Sequence, residues 1–476
     1  MNPRKWLSGI FASALVAFAA GCGGGSAAIQ QVQPQSGGVF IPVGDTPLAG
    51  VVTCNLTIMG IAVAEGSSTP ITITTGQQPV DFARLNGMHT LLDYNMIPAG
   101  TYDTVIVTLA SPEIGYLNVT NPQTNPPTRP SISMLTGTTT PPAMLNSSMV
   151  TINLASPLVV NSGDVIGLGL DFDIRKSLVV DGNGQITGAI NPTMTVNAVT
   201  PSDADAYIDE FIAGVTTANT VSGTSFTIQG PHGRAFTVNV NDQTEWEGGD
   251  TIASLTNTSI VAISGTLDRT AATFDADTVA VLSQNSFYAG GLITYVDPPT
   301  GTANDFDLYV RDVLPAGTGF KSGQISTINL LGTEKYLVYW MHNLFVNPKW
   351  SNIFFNASLL VPGQHVSIGG PFTNGAVTVK RVVLRHEGHT GTLVANSANT
   401  GTSTFQFNSN GLAGVLFNGP VTVYVTIFTK FGGGLTSLQD LTNNPTNPLR
   451  VVGVVLKDPI SGQPVFVARS VSELPN

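Results

Sequence analysis

From residue 49 onward, apolar and polar residues alternate with a period of two. The stretches "VVTCNLTIMGIAV" (51–63), "TYDTVIVTLA" (101–110), "VTINLASPLVV" (150–160) and "DVIGLGLDFDI" (164–174) each set an apolar face against a polar one. That is the signature of a half-buried strand. In the first of them Cys54 shares a face with Val52, Leu56 and Ile58, so it reads as a buried, inert thiol. The period breaks in "VDFARLNGMHTLLDYNM" (80–96). There Phe82, Leu85, Met88, Leu91 and Leu92 fall at helical spacing and predict a short helix. The Pro- and Thr-rich run 112–144 predicts a long loop or irregular edge.

Residues 207–476 repeat a strand pattern three times. Each unit opens on glycine and a strand: "FIAGVTTA", "YAGGLITYV", "HTGTLVANS". A middle strand follows: "AFTVNV", "KYLVYW", "VTVYVTIF". Then come an aromatic (Trp246, Trp350, Phe431) and a leucine (Leu255, Leu359, Leu438). A strand running into glycine ("SIVAISG", "QHVSIGG", "LRVVGV") and a closing strand complete the unit. Five or six short strands with glycine-marked bends predict a small closed or half-closed barrel. Units of this size can each hold a core, so the expectation is beads on a string. The units are 207–284, 285–386 and 387–476, behind a sandwich at 49–200, with exposed linkers near 201–207, 285 and 387.

The chain before residue 49 is different. Arg4 and Lys5 precede an apolar run from Trp6 to Ala20, too short to span a bilayer and suited to a secretory signal. Ala19-Ala20-Gly21-Cys22 resembles the lipobox of bacterial lipoproteins. That resemblance implies cleavage after residue 21 and acylation of Cys22, with membrane lipid as the partner. With no acidic residue after Cys22, the sorting rule of that family implies the outer membrane in a Gram-negative source. Gly, Gln, Pro and Ser dominate 22–48, which predicts a flexible tether reaching about 85–95 Å, against the alternative of a short extra strand around Val39–Val43.

Two further resemblances concern the folded part. "IPAGTY" (97–102) and "LGLDFDIRKSLVVDGNGQITGAINPTMTV" (168–196) resemble an uncharacterised domain common at the N-terminus of bacterial lipoproteins. The resemblance covers about 49–200 and implies a β-sandwich of the prealbumin-like or Ig-like kind. It brings no catalytic residues. The three repeats resemble an uncharacterised bacterial family of small β-barrels similar to OB-folds.

Charge and chemistry narrow the function. The chain carries 19 basic and 30 acidic residues, and charged residues are only 10% of it. Without Arg4 and Lys5 the balance is 17 against 30, a net −13. Nucleic acid, which needs a basic stripe, is not an expected partner. With Cys54 alone after Cys22, neither a disulfide within the mature chain nor a cysteine metal cluster can form. "RHEGH" (385–389) lacks zincin spacing and reads as a polar hinge. "DGNGQI" (181–186) reads as a hairpin turn and not a calcium loop. On "GLGLDFDIR", Asp171, Asp173 and Arg175 share the polar face and form a candidate site, against the alternative of a solvated charge ladder. Trp246, Trp350 and Phe431 are candidate binding loops. The variable charge of their flanks, however, predicts rings turned inward as barrel plugs.

No catalytic motif, cofactor fingerprint or metal-ligand spacing is present. The expectation is an all-β, lipid-anchored envelope protein that binds polysaccharide or an envelope protein without catalysis. The alternatives are an envelope hydrolase using Asp171 and Asp173, and a structural spacer or subunit of an envelope complex.

Overall fold

The computed structural model describes residues 36–474 except 47–49, 86, 119–128, 183–184, 202–205, 220–222, 230–234, 248–249, 269–272, 285, 316, 339–354, 374, 410–416, 418 and 459–460. The signal at 1–21, Cys22 and Trp350 therefore lie outside the described residues. Strands make up 64% and helices 5%, so the all-β class predicted from alternation holds.

The N-terminal part is a β-sandwich. One sheet runs Ile71–Asp81, Val51–Ala64, Gly100–Asn118, Ser131–Leu135, with Met149–Val160 also paired to Gly100–Asn118. The other runs Met194–Val199, Val165–Asp173, Ser36–Thr46, Thr90–Pro98. The inward residues of both meet in one core. Leu168, Leu170 and Phe172 come from one sheet, and fully buried Cys54, Leu56 and Ile58 from the other.

Two sequence expectations are corrected here. The tether does not extend to residue 48. Ser36–Thr46 is an internal strand, parallel to Val165–Asp173 and antiparallel to Thr90–Pro98. Val39, Ile41 and Val43 point into the sandwich core. Pro42, an unusual residue for an inner strand, sits where the register slips between Ile41 and Pro42. The predicted helix at 80–96 is only one 3-10 turn, Phe82–Leu85, followed by the strand Thr90–Pro98. All five apolar residues are buried as expected. Gly87, at φ +66, turns the chain between the two elements, so the apparent helical spacing is shared by a turn and a strand.

The three repeats share one parallel pairing. In each, the middle strand pairs parallel with the closing strand. Ala235–Asn239 lies beside Thr273–Ser283, Lys335–Val338 beside Arg381–Leu384, and Val421–Gly432 beside Pro464–Glu473. That pairing joins the sheet ends in the first unit and closes the third into a five-stranded barrel. The glycine marking the fourth strand has a steric reason. A Cβ on Gly265, Gly370 or Gly453 would overlap a backbone carbonyl oxygen of an adjacent segment, at Asp275, Thr378 and Val467 respectively. In the second unit the position is Gly370, the second glycine of "QHVSIGG".

The units are not beads with private cores. Residues Gln35–Asn476 form one compact unit. Phe40, Leu91, Tyr94, Val165 and Val199 of the sandwich pack into the first barrel's core. Val454, Leu456, Val465 and Val467 of the third barrel complete the core of the second. The expected polar hinge at 385–389 is buried: Arg385, His386, Glu387 and His389 are all nearly inaccessible. A segment of mixed polarity was read as exposed, but it lies where units meet: Arg385 pairs with Glu210 across the junction, and Glu387 pairs with His389 within the segment.

Candidate functional site: a charged cleft at a buried junction

The strand Ile208–Asn219 slips register between Ile208 and Phe211, so that Ile208, Phe211 and Ala213 enter the first barrel's core while Ile212 packs on a different cluster. Glu210, inside that slip, is buried, and Arg385 meets it from the end of Arg381–Leu384. The Arg385 Nε donates to Glu210 Oε1 at 3.2 Å, and Nη2 also bonds the same oxygen. Arg84, from the 3-10 turn of the sandwich, approaches Glu210 Oε2 at 3.7 Å and donates to Asp312 Oδ1 at 2.6 Å. Burial alone would raise the Glu210 pKa, but the two arginines override it and hold it at about 2. Burial opposes the Arg84 cation as well, yet Asp312 and Glu210 keep its pKa above the ordinary value. Sandwich, first barrel and second barrel are thus tied by alternating charges.

Every described histidine belongs to this junction. His365 Nδ1 bonds the His386 carbonyl at 2.8 Å, and burial lowers the His365 pKa to about 4. The His386 pKa is lowered too, by burial first and then by Arg469 and Arg385. His389 Nε2 lies 3.0 Å from Glu387. At the far side Arg450 bonds the Gly87 carbonyl, and its Nη2 reaches Asp209 at 3.2 Å. Burial acts to raise the Asp209 pKa, but the His89 hydrogen bond and Arg450 bring it below the usual value.

Above the junction, sandwich and second barrel enclose a cleft of about 700 Å³. Its walls carry Asp81, Arg84 and Glu113 on one side and Arg311 and Asp312 on the other. Arg311 and Asp312 are neighbours in Asp305–Leu314, and in a regular strand they would face opposite ways. A bulge changes this: Gly290 pairs with Asp312 and Gly291 with Val310, leaving Arg311 as the extra residue. Glycine permits it, because a Cβ on Gly291 would overlap the Tyr309 carbonyl oxygen. Both side chains then line the same cleft.

The cleft's polar groups are only partly satisfied. Asp81 accepts the Cys54 N–H at 2.9 Å, and burial raises its pKa against the pull of Arg311 and Arg84. Burial also raises the Asp312 pKa, against Arg84. Arg311 Nε and Asp312 Oδ2 are buried and have no hydrogen-bond partner among the described residues. The arrangement offers a fixed donor beside a fixed acceptor. Among the described residues no group of three or more His, Cys, Asp or Glu is placed to hold a metal ion.

The residues singled out from sequence lie elsewhere. Asp173 does not stay in a ladder. It caps the one-turn helix Ile174–Ser177, accepting the Lys176 N–H at 2.9 Å and pairing with Lys176 Nζ at 3.1 Å. Arg175 rides on that helix, exposed, so the alternation ends at Asp173. Asp171 lies on the polar face as expected, beside Gly44. The hairpin at 181–186 joins Leu178–Val180 to Ile186–Ile190, with the Gln185 N–H donating to Asp181 at 2.8 Å. Trp246 and Phe431 occupy equivalent places, each paired parallel to its closing strand. Both are half-buried and packed on their barrel cores. Trp246 leans on Phe226 at 6.3 Å, whereas Phe431 also lines a second cavity. Sequence reasoning missed Glu210 and Arg385. No local pattern marks the pair, whose members lie 175 residues apart.

Residues 36–187 match the family model of DUF4382, a domain of unknown function. No curated protein matches the chain. Among solved structures, Drosophila Unr CSD456 is 9% identical, with 56% of this chain and 97% of that one covered at a TM-score of 0.14. MbnP from Methylosinus trichosporium is 13% identical, with 29% and 76% covered at a TM-score of 0.13.

Proposed function

We propose that this chain is a lipid-anchored cell-envelope protein, held through Cys22, that binds a hydroxyl-rich polysaccharide without catalysis. The ligand lies in the cleft between the sandwich and the second barrel. The observation that carries this reading is the adjacent buried pair, Arg311 Nε and Asp312 Oδ2, each without a partner among the described residues. A sugar hydroxyl accepts and donates at once, so it satisfies both. Leaving either unmade costs about 1–3 kcal/mol, which a bound hydroxyl recovers. Asn55, Gln78 and Gln324 add amides along the same walls. Concavity and polarity favour a glycan over a flat protein partner. The hydrolase alternative built on Asp171 and Asp173 loses support, because the Asp173 carboxylate is occupied by the helix cap and Lys176.

The test is binding of the detergent-solubilised full chain to an array of neutral and acidic glycans. Retention of hydroxyl-rich glycans by the wild type is expected, with Arg311→Ala weakening it at least tenfold. A chain that retains no glycan, or an Arg311→Ala chain that binds as well as wild type, would refute the reading.

A further inference from the structure

A second cavity, of about 430 Å³, lies between the first and third barrels. Its composition is unusual for this chain. Acids outnumber bases 30 to 19 overall. Yet the cavity walls carry three cations, Lys430, Arg450 and Arg469, and one carboxylate, Asp209. Asp209 is already engaged by Arg450 and by the His89 N–H at 2.9 Å. The remaining cations approach from another side. Arg469 is 9% exposed and donates to the Tyr207 hydroxyl at 2.6 Å, with its guanidinium 5.3 Å from that ring's centroid. The tyrosine thereby fixes the plane of the guanidinium at the wall. Lys430 is exposed and stands beside Phe431, whose half-buried ring forms the apolar part of the same wall.

A bulge sets this pair in place. Between Val425 and Lys430 the strand slips register against its parallel partner, and pairing resumes at Lys430 with Ser470. Thr429 anchors the slip by donating to the Ala468 carbonyl at 2.7 Å. Cations beside a ring are suited to a ligand that has both an anionic group and an apolar face. Charge-assisted bonds from Arg and Lys hold a carboxylate, and the C–H face of a sugar ring packs on an aromatic.

We infer that this cavity takes an acidic sugar unit of the bound polysaccharide, its carboxylate on Lys430 and Arg469 and its ring against Phe431. The inference rests on the polysaccharide reading above and adds the class of sugar. Cleft and cavity sit at opposite ends of one segment. Arg84 and Leu85 line the cleft, and the Gly87 carbonyl holds Arg450 of the cavity. A polymer with both neutral and uronate units could meet both.

The probes are trigalacturonate and neutral galactotriose, titrated calorimetrically into the detergent-solubilised full chain. Trigalacturonate should bind at least tenfold more tightly, and added salt should weaken it. Lys430→Ala should reduce its affinity at least fivefold. Phe431→Leu, which keeps apolar bulk for the barrel core but removes the ring, should do the same. Arg311→Ala should leave the preference for the charged probe intact. Equal affinity for the two probes would overturn the inference, as would a Phe431→Leu chain with unchanged affinity. If trigalacturonate binds through Lys430 while neutral glycans fail at Arg311, the cleft reading falls and this one stands.

Discussion

Replacing Arg385 with methionine removes a guanidinium and strands a carboxylate. Arg385 is 1% exposed and bonds Glu210, whose side chain is 7% exposed. Glu210 is held at about 2, against an ordinary 4.5, chiefly by Arg385 and secondarily by Arg84. The difference is worth about 3 kcal/mol at 1.36 kcal/mol per pKa unit. Arg84, at 3.7 Å, keeps part of that stabilisation in the variant. Arg385→Met should therefore cost about 2–3 kcal/mol at neutral pH, near the lower end for breaking a buried pair. Neutralising the stranded partner should restore most of it, so Glu210→Gln with Arg385→Met should lie within about 1 kcal/mol of wild type. The assay is urea unfolding followed by tryptophan fluorescence, with the m-value checked for constancy. Because barrels share cores across the junction, the loss should appear in one cooperative transition. An Arg385→Met midpoint equal to wild type, or a double variant no more stable than the single one, would refute the electrostatic account.

Further outcomes concern pH, packing and anchoring. The His365 pKa is lowered to about 4 in the fold against 6.5 outside it, so the unfolded chain binds more protons between those values and stability falls as pH drops through that window. By pH 5 the loss from His365 is about 2 kcal/mol, His386 acts in the same direction, and unfolding midpoints at pH 7.5 and 5 that coincide would contradict this. Leu456→Ala, made in the third barrel, should cost about 2–5 kcal/mol and expose the second barrel to protease, because Leu456 sits in that core. Gly453→Ala should cost about 1–3 kcal/mol through overlap with the Val467 carbonyl, measured as a lowered melting temperature. Cys22→Ala should abolish metabolic labelling by an alkyne fatty acid, and equal labelling of both forms would sink the lipid anchor.

Period-two alternation by itself determined the class of this fold, the sandwich strands and the threefold barrel repeat. Those features depend on local rules: which face of a strand is apolar, and where glycine must stand. The glycines Gly265 of "SIVAISG" and Gly453 of "LRVVGV" were legible because backbone crowding at a bulge admits only one residue type. The turn at 181–186 was legible for a similarly local reason. Tertiary structure alone decided the rest. The strand at 36–46 is proline-bearing and glycine-rich, with little apolar alternation, and it is ordered by pairing with residues 90–98 and 165–173. The segment 80–96 matched a helix because two elements happened to place their apolar residues at helical intervals. Arg385 read as a hinge charge, since its partner Glu210 lies 175 residues away. The cleft is equally non-local. Arg84 and Asp312 are 228 residues apart, and the bulge that turns Arg311 and Asp312 the same way depends on glycines in a neighbouring strand. Alternation reports which residues leave water, because burial of each face is a local property of a strand. It does not report which buried charges meet, because that depends on how separately specified sheets are brought together.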